Sequence, residues 1–137
     1  MSSFVLRTPQ GRRLKFQLYD RDAPLTCKAL SKAMPFTARA VQAREAGEEI
    51  WIPKGPRLRI AQENATARLR FGEIGYAPPH RRSEIRQSMA IVYGEAKLWD
   101  CVNVFGRVAS EDRNALKKLG EQIWLKGARV LRFERGE

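Results

Sequence analysis

Between positions 44 and 63 the chain gathers the groups best suited to acid–base chemistry: Arg44, Glu48, Glu49 and Glu63, with Trp51 among them. A carboxylate can move a proton, and a neighbouring guanidinium can hold a carbonyl or carboxylate in place while it does so. Side chains alternate along a strand, so Glu49 and Trp51 share one face while Glu48, Ile50 and Ile52 take the other. We read the cluster as a pocket for a small polar or anionic, planar molecule. Arg44 is the expected clamp, Glu48 or Glu63 the expected proton carrier, and Trp51 and Tyr93 the walls. Tyr76 and Tyr93 belong to strands expected to line the same surface and to donate hydrogen bonds. Asn64, Asn103 and Phe105 complete the expected substrate-binding set. The competing reading makes Trp51, Tyr76 and Tyr93 barrel packing and places Glu48 and Glu49 in a hairpin turn beside Gly47.

Other reactive side chains are sparse. His80 is the only histidine, set between a proline pair and two arginines, where an exposed loop with a depressed imidazole pKa is expected. The two cysteines, Cys27 and Cys101, are too few for a disulfide framework or a zinc cluster. Cys27 is expected in the core of a helix, and Cys101 stands before a strand. No ligand spacing for a metal is present, and neither metal nor cofactor is expected.

The chain has 137 residues, 43% of them hydrophobic and 30% charged, with a formal net charge of +11. That length suits one domain, residues 1–137, with a real core. The positive excess favours encounters with phosphates, anionic metabolites or acidic surfaces. Between Lys54 and Arg86 there are eight basic residues against three acids. Arg57/Arg59 and Arg68/Arg70 repeat at spacing two, which on strands projects each pair from one face. Such a face suits an anionic ligand or a phosphate backbone, yet no aromatic residues interleave with these arginines, which weighs against single-stranded nucleic acid. Nucleic acid is therefore a secondary partner. No apolar leader or membrane-length apolar run is visible, so a cytoplasmic location and no membrane partner are expected.

Many short strands and two helices must position these groups. Phe4–Leu6 and Leu14–Leu18 read as a hairpin around Pro9-Gln10-Gly11. Asp22 and Pro24 open a short helix with Leu25, Ala29, Leu30 and Ala33 as its apolar face. Strands are expected at 37–43, 49–52, 58–60, 73–76, 89–93 and 130–133. A longer helix is expected over 112–126, with Leu116, Leu119 and Ile123 inward and Gly127 at its end. The fold class is mainly β (α+β). Strand edges at this size favour pairing between copies, so a homo-oligomer is expected.

Several motifs in order resemble a known family. Asn103–Val108 (N-V-F-G-R-V), then the longer helix and a closing strand, look like the end of a cyclophilin. Arg21–Leu30 looks like the segment that opens the cyclophilin first helix, and Gly72–Tyr76 is similar to the family's G-x-[LI]-S-M strand. Ala43–Pro53, containing G-E-E-I-W-I-P, is similar to the signature of a small bacterial cyclophilin-like family of unassigned function. Glu63–Thr66, Gly72–Pro79 and Ile91–Gly94 match that family too. The resemblance implies a cyclophilin-like closed β-barrel with two capping helices. The chain departs from the proline isomerases: Ala43 stands where they have histidine before the arginine, no Gln-Gly-Gly occurs, and Val102 falls at another histidine position. Cyclophilin-like lobes of oxoprolinase-associated proteins and urea-amidolyases also resemble it. That likeness implies binding of a small polar molecule, with cleavage or isomerisation of a C–N bond in a small cyclic amide as the enzyme reading. A peptidyl-prolyl isomerase or proline-peptide binder, and nonspecific nucleic-acid binding through the arginine-rich face, are the alternatives.

Overall fold

Residues 2–79 and 85–136 are described by a computed structural model. Strands β1 (Ser3–Arg7), β2 (Arg13–Leu18), β3 (Phe36–Gln42), β4 (Gly47–Ile52), β6 (Glu73–Tyr76), β7 (Met89–Ala96), β8 (Val102–Val108) and β9 (Arg129–Arg135) hydrogen-bond in the order β2-β1-β9-β3-β4-β7-β6-β8. Pairing of β8 with β2 closes that series into an antiparallel barrel. The two-residue strand β5 (Ala65–Thr66) sits on β8 outside the closed ring. Two helices, α1 (Pro24–Ala33) and α2 (Arg113–Lys126), complete the expected architecture.

Alternation divides the apolar residues into two layers. Inward positions such as Phe4, Phe16, Ile50, Ile74, Ile91 and Phe133 join the buried faces of both helices in one large interior cluster. Rings stack there, Phe4 on Phe16 at 4.9 Å and Phe36 on Phe133 at 4.7 Å between centroids. Outward positions on β7 and β8, the two strands flanking β6, form a second cluster, Ala90, Val92, Val102 and Val104 with Leu69 and Leu98. An antiparallel strand normally shows water its outer side. Here that side is apolar, and a cavity lies on it.

Local chemistry explains where the elements differ from expectation. Leu58–Ile60 alternates like a strand but pairs with none; Leu58 and Ile60 pack on the interior cluster while Arg57 and Arg59 stay exposed. Arg68 and Arg70 also lie off the strands, and Arg70 pairs with Glu73 at 3.4 Å. Helix α1 is not capped by Asp22, because Ala23 occupies the N-cap. Glu63 does that work from a distant loop, its carboxylate accepting the Leu25 N–H at 2.9 Å. The buried stripe of α1 is Thr26, Cys27 and Leu30, and Leu25 is 58% exposed. A short 3-10 turn, Ser110–Asp112, precedes α2, and Asp112 accepts the Lys15 N–H at 2.8 Å. Leu116, Leu119 and Ile123 are buried as their spacing predicts. His80, Arg81, Arg82 and Glu84 lie outside the described residues. Among the described residues no helix is long and apolar enough to cross a membrane.

Candidate functional site

Strand β4 carries the site through its alternation. Ile50 and Ile52 point into the barrel and are fully buried, opposite Ile91 and Met89 of β7. Glu49 and Trp51 point outward, opposite Val92 and Ala90. Together with the 43–46 turn, the 98–100 loop and Val102, they enclose a cavity of about 450 Å³ on the outer apolar layer. Its walls are largely apolar, Trp51 and Trp99 among them. Its polar lining residues are Gln42, Arg44, Glu45, Glu49, Ser88 and Asp100.

Glu49 is the unusual member. It is 5% exposed, and among the described residues no donor or cation meets its carboxyl group. Burial alone pushes its pKa from 4.5 up to about 7. A carboxyl with that pKa exchanges its proton near neutrality, so it can serve as donor or acceptor. Arg44 sits at the cavity's edge, its guanidinium 3.8 Å from the Trp124 ring centroid of α2. The turn carrying Arg44 is tied down by Ala46 N–H to Ala43 O at 3.0 Å and by Gly47 N–H to Arg44 O at 3.1 Å. Gln42 braces the same hairpin, donating to the carbonyls of Gly47 at 3.1 Å and Glu49 at 3.0 Å. The Tyr93 hydroxyl donates to Gln42 Oε1 at 2.6 Å, so Tyr93 supports the site from behind. Burial raises the Tyr93 pKa, and the Arg44 charge partly offsets that.

Of the residues expected to form the site, Arg44 and Trp51 meet in the cavity, and the rest hold the fold. Glu48 lies at the register irregularity between Gly47 and Glu49 and accepts the Glu95 N–H at 3.2 Å. Glu63 is drawn to the start of α1. Asn64, in the left-handed region at φ 46°, donates to Val104 O at 2.8 Å. Asn103 is fully buried; it accepts the Glu63 N–H at 3.1 Å and donates to Ala61 O at 2.9 Å. Phe105 packs in the barrel interior, and its carbonyl accepts the Cys27 thiol at 3.3 Å. Burial pushes that thiol up to about 12, as suits a core cysteine. Tyr76 is fully buried and donates to Pro56 O at 2.6 Å.

Glu49 belongs to the cluster read from the sequence, but Glu48 and Glu63 are the proton carriers expected there. The signal for Glu49 was present: it shares a strand face with Trp51, whereas Glu48 shares one with two isoleucines bound for the interior. Nothing local marks Trp99 or Ser88, which reach the cavity from loops.

A closed antiparallel barrel with two helices is the cyclophilin-like fold. The chain belongs to the DUF3830 family, described as proteins of unknown function, whose model matches residues 8–135. Three solved structures share the barrel. McbB, solved in complex with tryptophan, superposes at a TM-score of 0.78 with 18% identity over 98% of this chain. This chain spans 45% of the McbB chain. The hypothetical protein AF2241 from Archaeoglobus fulgidus gives 0.66 and 18%, covering 98% of this chain and 95% of that one. A cyclophilin-type peptidyl-prolyl cis-trans isomerase of Cryptosporidium parvum, solved in the presence of the dipeptide Ala-Pro, gives 0.60 and 16%, covering 98% and 99%. No curated protein matches the chain by sequence.

Proposed function

We propose that the chain binds a small, flat, polar molecule in the outer cavity and moves a proton on it through Glu49. The observation that carries this reading is a buried carboxyl that has no partner among the described residues and lines an apolar cavity together with an arginine. A buried acid left unsatisfied is costly to the fold, and such costs are characteristically retained where a ligand supplies the missing partner. The ligand therefore presents an N–H or O–H to Glu49 and a carbonyl or carboxylate toward Arg44. Trp51 and Trp99 cover its apolar faces. The volume of about 450 Å³ fits a small molecule.

The reaction class that uses these groups is hydrolysis of a C–N bond in a small cyclic amide. Glu49 takes a proton from water as the water oxygen bonds to the carbonyl carbon. It then returns that proton to the nitrogen as the C–N bond breaks, leaving an open-chain amino acid. Arg44 holds the carbonyl or carboxylate oxygen during both steps.

The test is a thermal-shift and calorimetric screen of lactams, small amides, carboxylates and tryptophan on the purified chain, at roughly pH 6 and pH 8 to bracket Glu49. The expected result is a ligand whose affinity falls about tenfold or more on Glu49→Gln and on Arg44→Ala. A ligand that binds wild type and Glu49→Gln equally at both pH values would overturn the assignment of Glu49. Binding that depends on Glu49 without turnover of any lactam would keep the pocket and remove the enzyme.

A further inference from the structure

The turn at 85–88 is a wall between two concavities. Ile85 and Ser88 face the cavity described above, whereas Arg86 and Gln87 face an open groove of about 790 Å³. The groove is completed by the 57–61 segment, Tyr76 and Pro79. Three arginines line it, Arg57, Arg59 and Arg86, and among the described residues no carboxylate does. Among the described residues none of the three has an ion pair or a ring contact. Arg7, Arg70 and Arg132 pair with glutamates, and Arg44 and Arg113 lie over aromatic rings.

Both walls are held by buried or half-buried groups. Tyr76 donates to Pro56 O at 2.6 Å and accepts the Leu58 N–H at 3.1 Å, which fixes the start of the arginine segment. Leu58 and Ile60 pack inward, so Arg57 and Arg59 are left outward on alternate positions. Across the groove Gln87 sits in the left-handed region at φ 60°. It is held there by its N–H to Ala77 O at 2.9 Å, by the Gly55 N–H to its own carbonyl at 2.9 Å, and by its side chain to Gly55 O at 3.0 Å. A non-glycine residue in that conformation is strained, and the hydrogen bonds that enforce it also set the backbone beneath Arg86.

We propose that this groove is an anion site for a ligand carrying clustered phosphates. Three uncompensated guanidinium groups in one concavity repel one another, and a multivalent anion relieves that repulsion where a single carboxylate neutralises only one charge. The planar fork of arginine matches phosphate oxygens two at a time. The Tyr76 ring is fully buried and offers no face for a base to stack on, so the recognised chemistry is phosphate and not nucleobase. The site is separate from Glu49 and stands or falls independently of it.

Inorganic tripolyphosphate is the probe, titrated by calorimetry at low and at physiological salt. The combined Arg57→Ala, Arg59→Ala, Arg86→Ala variant is compared with Arg12→Ala, Arg13→Ala, Arg39→Ala, which removes the same charge from exposed positions elsewhere. The first variant is expected to weaken binding about tenfold or more, and the second less than about threefold. Equal weakening by both, or no binding to wild type, overturns the proposal, because the attraction would then be net charge alone or absent. Arg86→Gln, a single exposed change, serves as the milder variant and is expected to lower affinity by about threefold. A single-stranded oligonucleotide distinguishes the source of the phosphates. If it binds tighter than tripolyphosphate and loses affinity in the same variant, the ligand is a nucleic-acid backbone; if it binds no tighter, the ligand is a free oligophosphate.

Discussion

Glu49 and Glu73 stand on β4 and β6, either side of β7, and each is 5% exposed. Glu73 is fully engaged. It accepts the Tyr19 hydroxyl at 2.7 Å, the Arg70 N–H at 2.7 Å and the Arg70 guanidinium at 3.4 Å. Glu49 has the same burial and, among the described residues, none of those partners. One carboxylate joins a loop and an aromatic side chain to the barrel, and so acts as a strut. The other sits at the edge of an apolar cavity with its proton held only by the cost of charging it. Burial is the same at both positions; what separates the proposed site from the strut is the lack of a partner among the described residues.

The largest expected effect separates the two directly. A raised carboxyl pKa means that the native state binds more protons than the unfolded chain between about 4.5 and 7. Stability is then greatest below about pH 4.5 on this account and falls as pH rises toward 7. Glu49→Gln is accordingly expected to stabilise the protein by about 3 kcal/mol at pH 8 and to flatten the pH dependence of its unfolding. Chemical denaturation across that pH range reads both, and an unchanged pH slope would mean that Glu49 ionises normally.

Removing the carboxylate at Glu73 should have the opposite sign. Glu73→Ala leaves Tyr19 O–H and the Arg70 N–H without their acceptor and is expected to cost about 2 kcal/mol. Tyr19 carries a second signature: its hydroxyl, held up at about 12 mainly by burial and then by Glu73, should titrate lower in that variant by ultraviolet absorbance. If Glu73→Ala were neutral, the contrast between strut and site would collapse.

Smaller effects sharpen the picture of what holds the cavity. Gly120 of α2 lies flat against the Tyr93 ring, where a Cβ would overlap ring atoms. Gly120→Ala should therefore cost about 1–3 kcal/mol through overpacking and disturb the brace from Tyr93 to Gln42. Glu63→Gln should cost about 1 kcal/mol by weakening the α1 cap, and should leave ligand binding in the outer cavity intact. A loss of binding in Glu63→Gln would return Glu63 to the catalytic set.

Much of the frame was legible because it depends on near neighbours in sequence. Alternation in Leu14, Phe16 and Leu18, the turn at Pro9–Gly11 and the 116/119/123 stripe each follow from local periodicity, and each occurs where expected. Local periodicity also explains the one false strand. Leu58–Ile60 alternates inward and outward but lacks a neighbour to hydrogen-bond, which no local pattern reveals. The site was legible in part for the same reason. Arg44 and Trp51 stand in one signature on one hairpin, whereas Glu63, Asn64 and Asn103 resemble site residues in type and prove to be tied to backbone groups far away in sequence.

The sequence by itself determined the barrel strands, with one surplus at 58–60, and also both helices, the positive charge and the face of β4 on which Glu49 and Trp51 lie together. Only the tertiary structure decided which carboxylates keep partners. That choice depends on contacts between residues tens of positions apart, Leu25 with Glu63 and Tyr19 with Glu73, and on an apolar outer layer closing over Glu49. A carboxylate's chemistry is set by the donors and water around it, and those arrive only when the chain has folded.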